Sequence, residues 1–194
     1  MAKTKSTFGN NATFTFDGFA QHENLESTHN TQSEVREAYL DFSLGLLDIR
    51  LGKQIIAWGR ADKLNPTDNL TPRDYTLLVP EDEEQRLGTS AAVFNYPFSN
   101  YDYVLTGVWM PRIHENVVPL NRPANAVFTA SIPDTDQVAI RLNRTGGDLD
   151  WSVSYLDGVN LNPEVQLTGI NGSSLAFRCT TKRCKYWAWM PPPH

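Results

Sequence analysis

Apolar and polar residues alternate with a period of two along most of the chain. Between Ala38 and Leu44, for example, the even positions are apolar and the odd positions are mainly polar. This period is typical of β-strands that have one apolar and one polar face. It predicts about seven strands, most of them about 7–11 residues long, a length common in transmembrane barrels, at 13–20, 36–44, 47–58, 90–96, 101–110, 137–143 and 149–156.

The connections between these predicted strands alternate in length. Tight turns are expected at 45–46, 97–100 and 144–148, and long connections at 21–33, 59–87, 111–136 and 157–172. Short turns at one end and long loops at the other are characteristic of up-and-down outer-membrane barrels. The predicted fold is therefore all-β, an antiparallel up-and-down transmembrane β-barrel of which about seven strands are seen, fewer than the eight of the smallest bacterial barrels. A soluble β-sandwich that binds carbohydrate or protein is the alternative.

Composition narrows the possible functions. The 194 residues carry a net charge of -5, which disfavours nucleic acid as a partner. The sequence contains no apolar run long enough for a transmembrane helix. It also lacks a nucleophile elbow and a phosphate-binding glycine loop, so neither an enzyme nor a cofactor is expected.

The densest polar cluster follows the predicted strand 47–58. Arg60, Asp62, Asp68, Arg73 and Asp74 lie there in a stretch that also contains Pro66 and Pro72. One interpretation is a loop that folds into the lumen and sets opposing charges there. Two others remain open: a calcium site built from the aspartates, and a loop held only by its own Asp–Arg pairs and Asx turns. A metal site at the two cysteines, Cys179 and Cys184, is not expected, because zinc sites need four closely spaced ligands.

The polar face of the predicted strands supplies a second set of candidates. Inward-facing charges would tune the selectivity of a pore, although they could also serve only to hydrate its wall. The residues that alternation assigns to this face are Glu37, Tyr39, Asp41, Arg50, Gln54 and Arg141.

Several motifs between residues 36 and 88 carry a resemblance to a known family. The segments are REAYLD at 36–41, RLGKQIIAWGRAD at 50–62, NPTD at 65–68, TPRD at 71–74 and QRLG at 85–88. In order and spacing they resemble the porin-like outer-membrane β-barrel family of Gram-negative bacteria classified as domain of unknown function 1302. The resemblance implies a barrel with more strands than are seen here, and a role for the 58–74 motif in shaping the pore or the barrel end.

The two ends of the chain differ from that family. Residues 1–11 form a lead without a signal peptide, because no apolar stretch follows the first lysines. Residues 12–178 form the predicted partial barrel. After Arg178 the composition changes, and with permissible codons a shifted reading frame restores a strand-like pattern. We therefore expect residues 179–194 to be an aberrant tail, and our hypothesis is that a frameshift in a longer gene produced it.

The function predicted from the sequence is passive transport of small solutes across the outer membrane, and the resemblance implies hydrophobic or aromatic ones. The partners would be outer-membrane lipid and small-molecule solutes, and the full-length parent would reside in the outer membrane. A truncated gene product without a function of its own is a further alternative.

Overall fold

A computed structural model describes residues 2–9, 11–25, 28–58, 69–77, 85–98, 102–112, 114–119, 126–131, 133–146, 149–171 and 174–190. Within these ranges the regular structure consists of β-strands, and no helix found there has the length and apolar character needed to cross a membrane. The strands are β1 (Ala2–Phe8), β2 (Ala12–Leu25), β3 (Thr28–Leu44), β4 (Leu47–Gln54), β5 (Thr89–Phe98), β6 (Tyr103–Met110), β7 (Ala126–Ser131), β8 (Gln137–Arg144), β9 (Trp151–Val159), β10 (Glu164–Asn171), β11 (Ser174–Thr180) and β12 (Arg183–Met190).

Nine of these strands form one antiparallel sheet in the order β1-β2-β3-β4-β5-β6-β8-β9-β12. A second sheet has three strands in the order β10-β11-β7, and its β7 and β11 run parallel. The all-β, antiparallel part of the predicted fold is thus confirmed. The nine-stranded sheet is not closed into a barrel.

Short turns lie together at one end of the large sheet. The turn between β3 and β4 consists of Gly45 and Leu46. Contacts between backbones join neighbouring turns, because the amide of Ser43 donates to the carbonyl of Asn11 at 3.2 Å and that of Thr145 donates to Asp102 at 2.9 Å. Between strands of the large sheet, the connections that follow β4, β6 and β9 are long, and all start at the opposite end. From β3 onward, these long connections alternate with short turns as the sequence predicts.

The structure contains five strands that the sequence pattern does not predict. These are β1, β7, β10, β11 and β12. The segment 21–33, expected to be a long loop, instead extends β2 and β3 into a long hairpin. This segment is polar at nearly every position, so its two faces do not differ and a test for alternation cannot detect it.

Much of the expected tail likewise lies in strands, since its first residues end β11 of the three-stranded sheet and β12 belongs to the large sheet. Residues 174–180 form β11, and β12 pairs with β9 from Arg183↔Val159 to Met190↔Ser152. Lys185 lies on the same face of β12 as Trp187 and Trp189. A charge mixed with aromatic residues on one face conceals the alternation, which is why no strand was predicted after Arg178.

One face of the nine-stranded sheet is apolar and exposed, and we call it the open face. Its side chains match across strands, since Leu51 lies opposite Ala92 and Leu105 opposite both Tyr96 and Leu142. Leu105 is 42% exposed and Trp109 is 46% exposed. The exposed residues that define this face are Phe14, Leu40, Leu51, Phe94, Tyr96, Leu105, Trp109, Val138, Ile140 and Trp187.

The other face of the sheet, which we call the covered face, carries long connections and many polar side chains. Its buried polar residues on strands are Thr15, Asp17, Gln54, Thr89, Thr106, Gln137, Ser152 and Ser154. An apolar cluster lies beneath the connections and includes Trp58, Leu70, Val108, Met110 and Leu156. The covered face is therefore mixed, whereas the open face is dominated by apolar side chains.

Candidate functional site

Arg50 and Asp41 form a charged pair on the covered-face side of β3 and β4. They occupy directly opposite positions in the antiparallel register. The Nε atom of Arg50 donates to Oδ1 of Asp41 at 2.6 Å, and Nη2 donates to Oδ2 at 3.3 Å. Both side chains remain more than a third exposed. The pair is therefore fixed in orientation while it still faces water.

The ring of Tyr39 packs against the guanidinium of Arg50 in this pair. The guanidinium carbon of Arg50 lies 4.3 Å from the centroid of the Tyr39 ring, within the range of a cation–π contact. Tyr39 lies opposite Gly52, which has a φ of 129°. A Cβ at position 52 would collide with the carbonyl oxygen of Ala38 and the backbone of Tyr39. The glycine thus permits the close approach that places the tyrosine under Arg50.

Glu37 and Gln54 are used within the protein. Oε1 of Glu37 accepts a hydrogen bond from the amide of Ile55 at 3.0 Å, which ties β3 to the chain leaving β4. Gln54 is buried, and its Nε2 donates to the carbonyl of Ala91 at 3.0 Å. Gln54 therefore joins β4 to β5 and does not reach solvent.

Arg141 on β8 holds the start of the long connection against the sheet. Its guanidinium lies 4.6 Å from the centroid of the Trp58 ring, and its Nη1 donates to the carbonyl of Trp58 at 2.6 Å. Trp58 is only 1% exposed. The predicted lumen-facing arginine thus anchors a connection that folds over the covered face.

The segment 69–77, which we call the in-folded segment, continues this cover. Oγ1 of Thr71 accepts from the amide of Ile56 at 2.9 Å and donates to its carbonyl at 2.8 Å. Leu70, Thr71 and Pro72 are buried. The motif around Arg73 therefore lies against the covered face of the sheet and does not project away from the sheet.

Arg73 and Asp74 hold the in-folded segment to its neighbours. The amide of Arg73 donates to Oδ1 of Asn116 at 2.8 Å, and its carbonyl accepts from the amide of Val117 at 2.8 Å. Oδ1 of Asp74 accepts from the amide of Thr76 at 2.9 Å, which is an Asx turn. Arg60, Asp62 and Asp68 lie outside the described residues.

Asn116 is a structural residue that no sequence pattern indicates. Besides binding Arg73, its Nδ2 donates to Oδ1 of Asn162 at 2.7 Å, and its backbone amide donates to the carbonyl of Leu161 at 2.9 Å. One side chain therefore joins three separate connections. Its position in the loop that follows β6 gave no periodic signal.

Glu115, next to Asn116, is an ionisable group in an unfavourable setting. Its Oε2 is buried, and among the described residues no donor reaches it. Burial raises the pKa of the Glu115 carboxyl above its usual value. Among the described residues no group of three or more histidine, cysteine or acidic side chains could hold a metal ion.

No protein-family model matches the chain, and no curated protein or solved structure is detectably similar to it.

Proposed function

We propose that this chain forms the wall of a porin-like barrel in the Gram-negative outer membrane, through which small solutes pass without energy input. The observation that carries the proposal is the difference between the two faces of the nine-stranded sheet. A soluble sheet buries its apolar face, whereas a transmembrane barrel turns that face to lipid and keeps polar groups inside. In this chain the exposed face is the apolar one.

The borders of the apolar face support the same proposal. At the short-turn end, Tyr96, Phe98, Tyr103 and Trp151 form a chain of aromatic contacts with centroid separations of 6.5, 5.5 and 6.2 Å. At the long-loop end, Nε1 of Trp109 donates to Oδ2 of Asp136 at 3.1 Å. Aromatic side chains with a polar atom favour membrane interfaces.

A cluster of charges lies on the open face beyond this aromatic border at the long-loop end. The carboxylate of Asp157 binds Nε of Arg183 at 2.7 Å and Nζ of Lys185 at 3.1 Å. Such a cluster suits the headgroup region of a bilayer, where charges meet water and polar lipid. The in-folded segment would then narrow the lumen from the long-loop side.

Tryptophan fluorescence in lipid tests the membrane placement. Two single-tryptophan variants, keeping Trp58 or Trp109 and replacing the other four tryptophans by phenylalanine, are refolded into vesicles whose acyl chains carry bromine. Bromine quenches indoles that contact the acyl chains, so we expect quenching of Trp109, which is 46% exposed, and little of Trp58, which is 1% exposed. If bromine quenches Trp58 and Trp109 equally, or quenches neither, the proposal is contradicted. A protein that stays in the aqueous phase would favour the soluble β-sandwich.

Transport is measured with the unmodified protein. Vesicles containing it should release a small neutral sugar faster than protein-free vesicles and should retain a large dextran. Release of both solutes would indicate leakage, and release of neither would leave the chain without the proposed transport activity.

A further inference from the structure

A cavity of about 330 Å³ lies where β1, β2 and β3 meet the segment 85–88. Five charged side chains line it: Lys3, Asp17, Arg36, Glu37 and Arg86. The aliphatic residues Ile55 and Ala57 complete the lining. Its volume is within the range of pockets that accept small molecules.

A β-bulge builds one wall of this cavity. Asp17 pairs with Glu37, but the next residue, Gly18, pairs with Val35, so Arg36 is the extra residue of β3. A bulge changes the direction of side chains beside it, and both Arg36 and Glu37 line the cavity. The site is thus part of the sheet and is not formed by surface loops alone.

A close backbone crossing builds the opposite wall. A Cβ at Gly88 would collide with the carbonyl oxygen of Arg36, so only glycine allows the segment 85–88 to cross directly against the bulge. Arg86, two residues earlier in this segment, is buried and lines the cavity.

Asp17 is the group whose bonding is incomplete. Its side chain is 7% exposed, and the contact between its Oδ2 and Nζ of Lys3 is 3.9 Å, longer than a hydrogen bond. Its Oδ1 is buried, and no donor among the described residues reaches it. A buried carboxylate whose bonding is incomplete is costly, so a molecule that donates an N–H or O–H to the Asp17 carboxylate is stabilised.

Arg36 and Arg86 supply the complementary chemistry in the same cavity. Each guanidinium has five N–H donors and can bind a carboxylate while keeping other contacts within the protein. A purely cationic solute would satisfy Asp17 but face two guanidinium groups. A purely anionic solute would bind the arginines but bring no donor to the Asp17 carboxylate.

We propose that this cavity binds a small zwitterionic solute of the α-amino acid class. Its ammonium group pairs with Asp17, and its carboxylate group pairs with Arg36 and Arg86. The inference rests on the proposed function and deepens it, because it names the class of solute that the polar side of the sheet selects.

Binding is tested with L-alanine, propionate and ethylamine, which share a two-carbon alkyl part but carry both charges, only the negative charge or only the positive one. Saturation-transfer NMR on the full chain refolded in micelles compares their affinities. Alanine should bind at least about tenfold more tightly than the other two, a difference of about 1.4 kcal/mol. Equal affinities would overturn the proposal.

Asp17→Asn should weaken alanine binding about tenfold. The matched control is Asp48→Asn, the same chemical change at an exposed position of β4 beside the short turn, where Ser43 donates to the carboxylate. The control should bind alanine like the unmodified protein. Loss of binding in both variants, or in neither, would overturn the assignment of the ammonium group to Asp17.

Lys3→Gln gives a test with the opposite sign and little risk to folding, since the Lys3 side chain is 66% exposed. Removing this competing cation should strengthen alanine binding by about two- to fivefold, the size of effect typical of an exposed ion pair. Weaker or unchanged binding would overturn the proposal. Because these measurements need no transport, a protein that enters bilayers but does not prefer alanine would refute the solute class and leave the porin-like function standing.

Discussion

Gly52 decides how closely Tyr39 can approach Arg50. Its φ of 129° is one that residues with a Cβ rarely adopt, and a Cβ there would meet the backbone of β3. Because the same glycine supports the Arg50–Asp41 pair, its effect is expected in both stability and local order.

Gly52→Ala should lower the free energy of unfolding by about 1–3 kcal/mol, the usual cost of a strained backbone. Urea titration of the protein in micelles measures this. Gly107→Ala is the control, since Gly107 lies on neighbouring β6 and nothing lies within 4 Å of an added Cβ. If the two variants lose equal stability, the clash at Gly52 is not the cause.

Glu115 should make the stability depend on pH. Burial raises the pKa of its carboxyl in the folded state, so folding favours the protonated form. The resulting stabilisation is complete below the pKa of the unfolded chain and is lost as pH rises through the folded pKa. Glu115→Gln should remove this part of the pH dependence.

The measurement is the urea midpoint across the acidic range for wild type and variant. Asp134→Asn, at an exposed carboxyl, should leave the dependence on pH in place. If the stability of the wild type rises with pH and this rise disappears in Glu115→Gln, folding does not raise the pKa of Glu115.

Among the elements, the in-folded segment is the one whose placement against the sheet depends most directly on a single side chain, that of Thr71. Thr71 both donates to and accepts from the backbone of Ile56, so its hydroxyl substitutes for a strand partner. Arg73 adds backbone bonds to the loop at 116–117. The sequence shows a threonine at position 71, but it gives no sign that this side chain binds the backbone of Ile56.

Thr71→Val keeps the shape and removes both hydrogen bonds, leaving the buried amide and carbonyl of Ile56 without this partner. We expect a loss of about 1–3 kcal/mol and faster proteolysis within the in-folded segment. Thr76→Val, at an exposed position of the same segment, should change the cleavage rate little. Equal protection of both variants would show that Thr71 does not anchor the segment.

For the whole molecule, the open face raises the question of what surrounds it. In a bilayer, a charge placed at the middle of this face costs about 2–4 kcal/mol. In water, the same change at an exposed site costs within about 0.5 kcal/mol. The two environments therefore predict different outcomes for one substitution.

Leu105→Lys should destabilise the vesicle-bound protein by about 2–4 kcal/mol. Asp102→Lys, in the short turn beside β6, should have a much smaller effect because it lies outside the apolar face. Unfolding from vesicles by urea measures both. A small effect at Leu105 would indicate that the open face contacts water or another protein.

The sequence by itself determined the all-β class, seven strands of the large sheet and, from β3 onward, the alternation of short and long connections in that sheet. These follow from local patterns, because period-two alternation and turn residues report on one strand or one turn at a time. The pairing of Asp41 with Arg50 was also within reach, since both lie on the predicted polar face of strands joined by a tight turn.

Only the tertiary structure decided the rest. It revealed β1, β7, β10, β11 and β12; of these, β1 is polar at most positions and β12 carries a charge among aromatic residues, so neither shows a clear alternation. It placed Gln54 in a buried contact, although its position in the alternation is the same as that of Arg50. It also brought Asp17, Arg36 and Arg86 into one cavity through a bulge and a glycine crossing, and contacts between residues so far apart in the chain cannot be read from a periodic pattern.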